Sequence, residues 1–135
     1  GHERLIPVTG LNPEGEPHAL LPGSRHQPLP WLAYPKRGLL GSAVKAHLAR
    51  LPQTTYLTAQ SENLYAAGIK ELVLLGYGMS WLPERNVAAE LAQGTLVRAG
   101  DSRWDVPMEL RLYRHQNHRH AELDSLWSEL APPRV

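Results

Sequence analysis

The sequence predicts an α/β fold with a mixed, mostly parallel sheet flanked by helices. Short apolar or β-branched runs alternate with helical patterns along the chain, which is typical of strands joined by crossover helices. The 135 residues are one domain's length, and 42% hydrophobic with 20% charged residues is the composition of a folded globular chain. Its apolar runs are far shorter than the roughly 20 residues needed to cross a bilayer.

The N-terminal part of the chain predicts two strands and a helix. Residues 4–9 have the pattern of a short strand, and the prolines and glycines of 10–30 exclude a long helix. The apolar run 31–34 is typical of a buried strand. Residues 39–51 carry apolar side chains at helical spacing, and Pro52 ends that helix.

The centre of the chain predicts a strand followed by a helix. Residues 54–58 are rich in β-branched and aromatic side chains, which favour a strand. Ser61 is a suitable N-cap for a helix over 62–75. Gly76 and Gly78 end this helix and let the chain reverse at close quarters.

The C-terminal part continues the alternation and ends in an amphipathic helix. Residues 106–113 alternate apolar with polar side chains, as a half-buried strand does. The other predicted elements are a strand over 79–82 stopped by Pro83, a helix over 84–92 followed by Gly94, a strand over 95–98, a polar turn over 99–105, and a final helix over about 119–130 with Leu123, Leu126, Trp127 and Leu130 on one stripe.

Charge and cysteine content exclude several classes of function. Lys and Arg number 14 against 13 acidic residues, and this net charge of +1 is scattered, so the chain lacks the basic face of a nucleic-acid-binding domain. The absence of cysteine excludes disulfides, thiolate metal sites and thiol redox switches, and it agrees with a reducing cytoplasm.

Residues 71–97 carry a family signature. A helix runs into Gly76-Tyr77-Gly78, a short apolar strand ends in Leu82-Pro83, and a short helix ends at Gly94 before Leu96-Val97. This order of features resembles the effector domain of LysR-type transcriptional regulators. Val87, Glu90 and Leu91 are part of the same likeness.

The resemblance extends over most of the chain. Residues 5–8 are similar to the family's strand crossing between two lobes, and 30–34 to the strand before its effector-contacting turn. Residues 106–113 with the final helix resemble the return to the first lobe. Within the family, the sequence resembles the hypochlorite-responsive branch at Leu32, Ala33, Tyr34, Gly41, the stretch 76–83 and the stretch 127–130.

The resemblance implies a fold, a domain arrangement and a role. LysR effector domains resemble type 2 periplasmic-binding proteins, which have two α/β lobes around a ligand cleft. On this likeness, 3–98 is the second lobe with its crossing strand, 99–135 is the C-terminal strand and helix of the first lobe, and the N-terminal DNA-binding domain is absent. Residues 1–2 resemble the remnant of a cleaved tag. The implied role is sensing of a small-molecule effector or an oxidant in a cytoplasmic bacterial homo-oligomer, with DNA bound only through the absent domain.

The resemblance also implies which residues meet the effector. The family contacts ligand through the loop before the first helix of this lobe and through the start of its next helix. Unpaired N–H groups at a helix start and two nearby cations favour an anion. The alternative is that Lys36 and Arg37 are simply solvated and that Ser61 only caps a helix. Carried onto this sequence, the effector-binding residues are Tyr34, Pro35, Lys36, Arg37, Gly38, Gln60, Ser61, Gly78 and Met79.

Other motifs predict no separate chemistry. The glycines of 76–78 follow a helix rather than a strand, and the third glycine of a dinucleotide-binding loop is missing. His115, His118 and His120 do not share a helical face, so we expect an exposed loop and no metal. We expect no cofactor and no enzymatic activity, because no catalytic constellation is indicated. A transporter's solute-binding module and a small α/β enzyme are the alternative functions.

Apolar side chains lead to two further expectations. Met79 and Met108 occupy apolar strand positions and predict core packing, with oxidation sensing as the alternative. The strand over 106–113 and the apolar stripe of the final helix would have lost their partner lobe. We therefore expect this face to pack back onto the chain or against a second copy.

Overall fold

The computed structural model describes residues 1–117 and 120–130. None of the helices in those ranges is long and apolar enough to cross a membrane. In chain order the elements are β1 (His2–Thr9), β2 (Leu29–Ala33), α1 (Leu39–Arg50), β3 (Leu57–Glu62), α2 (Ala66–Leu74), β4 (Ser80–Pro83), α3 (Glu84–Gln93), β5 (Val97–Arg98), a 3₁₀ turn (Ser102–Trp104), β6 (Val106–Glu109) and α4 (Ala121–Leu130).

Strand β1 is the centre of a four-stranded sheet in which every partner runs antiparallel to it. Strand β4 lies along one edge of β1, and Leu5 pairs with both Pro83 of β4 and Val106 of β6. The opposite edge is therefore shared, with β6 beside the first half of β1 and β5 beside its last two residues, Val8 and Thr9.

A second, parallel sheet of β2 and β3 adjoins the first one at β4. Met79, just before β4, donates its N–H to the Pro30 carbonyl at 2.9 Å and accepts from the Leu32 N–H at 3.0 Å. The bridge between Trp31 and Met79 is parallel. Strands β3, β2 and β4 therefore run in the same direction, and β1 runs against them, as expected for a mixed sheet.

The two faces of the sheet carry separate hydrophobic clusters because alternate residues of a strand point to opposite sides. Ile6, Val8 and Leu82 face α2 and α3 in one cluster, whereas Leu5 and Trp81 lie in the other, with α1. The second cluster also contains Ala99 and Val106. The hydrophobic core thus includes residues on both sides of residue 98.

The predictions for the centre of the chain have the right elements but the wrong residue bounds. The strand predicted over 54–58 lies at Leu57–Glu62, and the helix predicted over 62–75 begins only at Ala66. Tyr56 instead bonds to the loop before β2, donating its N–H to Pro22 at 2.9 Å. Pairing with β2 therefore decides which residues form the strand and overrides the β-propensity of 54–56.

The strand predicted over 106–113 is also shorter than expected. It ends at Glu109, which pairs with His2, and Leu110 makes the last contacts by exchanging hydrogen bonds with Gly1 at 2.8 and 2.9 Å. The alternating pattern continues to Tyr113, but no strand within 1–117 or 120–130 lies opposite residues 111–113. Strand β6 therefore ends opposite His2, the first residue of β1.

The final helix is present as predicted, but it is not part of the core. None of the residues of α4 is buried, and Leu126 and Leu130 are 48% and 59% exposed. Arg114 connects the preceding loop to this helix, donating to Asp124 at 2.6 Å with its guanidinium 5.0 Å from the centre of the Trp127 ring. Of the two expected arrangements, packing of the apolar face back onto the chain is wrong for Leu126 and Leu130.

Candidate effector-binding edge

The carboxyl ends of the parallel strands β2 and β3 lie side by side. Strand β2 ends at Ala33 opposite Glu62, the last residue of β3, and the Asn63 N–H donates to the Ala33 carbonyl at 3.0 Å. We call residues 34–38 and 63–65, which follow these two strands, the carboxyl edge. In open α/β sheets, ligands bind outside the carboxyl ends of the strands, so this edge is the candidate site.

The loop before α1 is held tightly to the start of that helix. The Gly38 N–H donates to the Pro35 carbonyl at 2.9 Å, and the Ser42 hydroxyl donates to the Lys36 carbonyl at 3.1 Å. A Cβ atom on Gly41 would lie 2.1 Å from the Pro35 oxygen, so only glycine allows α1 to approach this closely. These contacts fix the backbone of 35–38.

The same loop presents positive charge beside an uncapped helix start. Lys36 and Arg37 are exposed, and neither forms an ion pair within the described residues. The N-cap of α1 is Gly38, which has no side chain to bond to the first-turn amides. Free N–H groups and the helix dipole both favour an anion there.

Tyr34 lies at the edge, but its side chain turns into the core. It is 4% exposed, and its hydroxyl donates to the Trp81 carbonyl at 2.8 Å. Burial raises the pKa of this hydroxyl above the ordinary tyrosine value, so it remains a neutral donor. Tyr34, the residue directly before the loop 35–38, is thus anchored to β4.

The other half of the edge differs from the sequence prediction. Gln60 and Ser61 are exposed residues of β3, and Ser61 is not the N-cap of α2. That helix has Tyr65 as its N-cap, and the Asn63 side chain accepts a hydrogen bond from the Tyr65 N–H at 2.9 Å. The N-cap prediction for Ser61 is wrong because the predicted strand ends four residues before β3 does, which makes Asn63 part of the predicted helix.

Sequence reasoning missed three apolar residues at this edge. Leu39, Leu64 and Tyr65 are 78%, 60% and 71% exposed, and they stand at the starts of α1 and α2. A correct end for β3 would have identified two of them, because residues directly after a parallel strand lie at the ligand-binding edge.

Gly78 and Met79 lie away from the carboxyl edge. Both are buried, and Met79 bonds to β2 at Pro30 and Leu32, before the end of that strand. A Cβ atom on Gly78 would lie 2.7 Å from the Pro30 oxygen. Met79 is fully buried in the cluster with Trp81, which confirms core packing for this methionine.

Of the three histidines considered for a metal, His115 and His120 are exposed and His118 lies outside the described residues. Within 1–117 and 120–130, no group of three His, Cys, Asp or Glu side chains is placed to hold a metal ion.

Comparison with known proteins supports the same family over most of the chain. The family described as the LysR substrate binding domain matches residues 18–132. The regulator YjiE of Escherichia coli K12 is 28% identical over 131 residues, which are 94% of this chain and 41% of YjiE. The chain thus spans less than half the length of this relative.

Solved structures share the fold. DarR of Vibrio fischeri, solved in complex with DNA, is 28% identical with a TM-score of 0.81, over 96% of this chain and 42% of DarR. Full-length HypT of Salmonella typhimurium, a hypochlorite-specific LysR-type regulator, gives a TM-score of 0.82 at 24% identity, over 96% of this chain and 43% of HypT. The fold is accordingly of the type 2 periplasmic-binding-protein kind. This chain belongs to the LysR substrate-binding domain family, the effector-binding domain of LysR-type transcriptional regulators.

Proposed function

We propose that this chain is the second lobe of the effector domain and that it holds a small anionic effector at its carboxyl edge. The observation that carries the proposal is the meeting of the β2 and β3 ends beside an uncapped helix start, with Lys36 and Arg37 exposed next to it. Apolar contact to the uncharged part of the effector would come from the exposed side chains of Leu39, Leu64 and Tyr65.

In this proposal the lobe comprises residues 3–109, because β6 pairs with β1 and Val106 is part of the core. Residues 110–135 would belong with a first lobe that closes the effector cleft from the other side. Lobe movement would then alter DNA binding by a separate domain in a cytoplasmic homo-oligomer. We propose no enzymatic activity.

The proposal is tested by titrating the chain with benzoate, succinate and bromide while recording backbone NMR shifts. We expect shift changes concentrated in 35–38 and 63–65, with millimolar affinity because only one side of the cleft is present. Replacing both Lys36 and Arg37 by Gln should weaken this binding by about tenfold.

The matched control replaces Lys45 and Arg50, two exposed cations elsewhere on α1, by Gln. This pair removes the same charge, so it separates local contact from net charge. Equal weakening by both pairs, or shift changes that avoid the carboxyl edge, would contradict the proposal.

A further inference from the structure

Two buried hydrogen bonds connect Tyr34, at the carboxyl edge, to Trp81 and then to Trp104. The Tyr34 hydroxyl donates to the Trp81 carbonyl at 2.8 Å, and the Trp81 indole N–H donates to the Trp104 carbonyl at 2.8 Å. All three side chains are nearly or fully buried. Trp81 is therefore bonded through its carbonyl to the residue directly before the loop 35–38, and through its indole to the turn between β5 and β6.

That turn ends at a buried carboxylate. Asp105 follows Trp104, is 7% exposed, and forms an ion pair with Arg98 of β5. Its second carboxylate oxygen lies 3.5 Å from the guanidinium of Arg4 in β1. One carboxylate thus holds β1 and β5 together at the position where β6 replaces β5 beside β1. We call Asp105, Arg98 and Arg4 the strand junction.

Trp81 has little room to move independently of either end. It is fully buried, pairs with Pro7 of β1, and packs edge-on against Trp31 with ring centres 6.3 Å apart. Because protein interiors are close-packed, a displacement of this indole must be accommodated by its bonded neighbours. The Tyr34 hydroxyl bonds to the main chain of Trp81 and the indole bonds to Trp104, so a change at the loop would reach the strand junction through this residue.

We propose that Trp81 is a positioning residue that couples the conformation of the loop 35–38 to the strand junction at Asp105. The proposal deepens the proposed function, on which it rests for the role of the loop. Binding at the loop would bias the pairing of β1 with its partners, and the junction would bias the loop equally, since coupling between two sites is reciprocal.

The coupling is tested in the ligand-free chain by hydrogen exchange measured with NMR. Tyr34→Phe removes the donor at one end, and Asp105→Asn removes the charge at the other. We expect Tyr34→Phe to speed exchange of the Trp81 indole N–H about three- to tenfold, as for loss of one buried hydrogen bond. Asp105→Asn should speed exchange of the Ser42 amide, whose acceptor is the Gly38 carbonyl, by about threefold or more.

Two matched variants and one reference amide control this experiment. Tyr77→Phe removes an exposed hydroxyl, and Glu109→Gln neutralises an exposed carboxylate of β6; neither should change these rates. The Val73 amide of α2 reports general loss of stability. If Asp105→Asn does not fold, Arg98→Lys perturbs the same junction while keeping its charge.

An unchanged Ser42 rate in the folded junction variant would overturn the proposal. So would an acceleration no larger than that of the Val73 amide. Because no ligand is added, either outcome is independent of whether benzoate, succinate or bromide binds at the carboxyl edge.

Discussion

Gly41 shows how one residue shapes the candidate site. It lies in the first turn of α1, where its missing side chain lets the helix rest against the Pro35 carbonyl. The sequence presents it as one more residue of a helical pattern, in which glycine is a poor choice. The contact with Pro35 explains why glycine occupies this position, because a side chain here would overlap the Pro35 carbonyl. The same contact sets the position of Lys36 and Arg37.

Gly41→Ala should therefore destabilise the chain despite the better helix propensity of alanine. The added methyl would overlap the Pro35 oxygen, and we expect a loss of about 2 kcal/mol in the free energy of unfolding. Urea denaturation followed by circular dichroism measures it. Lys45→Ala, an exposed change on the same helix, is the control and should stay within about 0.5 kcal/mol. A loss no larger than this control would show that the loop moves aside freely.

At the scale of elements, α2 and α3 are joined by one ion pair. Lys70 of α2 forms a salt bridge with Glu90 of α3 and also donates to the Asn86 carbonyl at 2.9 Å. The hydrogen bond from Lys70 holds the pKa of Glu90 below its ordinary value. The carboxylate therefore favours the folded state when it is charged.

This pair predicts a pH dependence with a defined sign. A carboxyl whose pKa is lowered by folding contributes stability above its ordinary value of about 4.5, and that contribution is lost as the pH falls further. Glu90→Gln should lose less stability than the parent chain between pH 6 and pH 3.5, measured by urea denaturation at each pH. Glu71→Gln, at an exposed glutamate of α2, should behave like the parent chain. Parallel curves for all three proteins would contradict this assignment.

At the scale of the whole molecule, the C-terminal segment differs from the rest. Leu110, Leu112 and Tyr113 are 46%, 61% and 78% exposed, and α4 has no buried residue. The apolar side chains of this segment are thus exposed to solvent, and folded proteins generally avoid such exposed apolar patches. The second expectation from the sequence, packing against another copy, stays a prediction.

Self-association through this face is testable in solution. We expect the chain to associate at micromolar concentration in sedimentation velocity, and the double change Leu126→Glu with Leu130→Glu to weaken association at least tenfold. Leu75→Glu, at another exposed leucine, should leave it unchanged. A parent chain that remains monomeric at 100 times that concentration, about 0.1 mM, would contradict the prediction.

The sequence alone determined the α/β class, the family signature in 71–97 and the helices α1 and α3. Those features depend on local periodicity and on turn residues such as Gly94, which adopts the left-handed conformation at the end of α3 with a φ of 75°. Local pattern is sufficient for them because their hydrogen bonds close within a few residues.

Only the tertiary structure decided where β3 and β6 lie and which way Tyr34 faces. Strand boundaries depend on the partner strand, so β3 follows the register of β2 and β6 stops opposite His2. The orientation of Tyr34 depends on Trp81, which lies 47 residues away along the chain. For the same reason Ser61 lies within β3 instead of capping α2, since pairing between distant segments is not encoded in any local pattern.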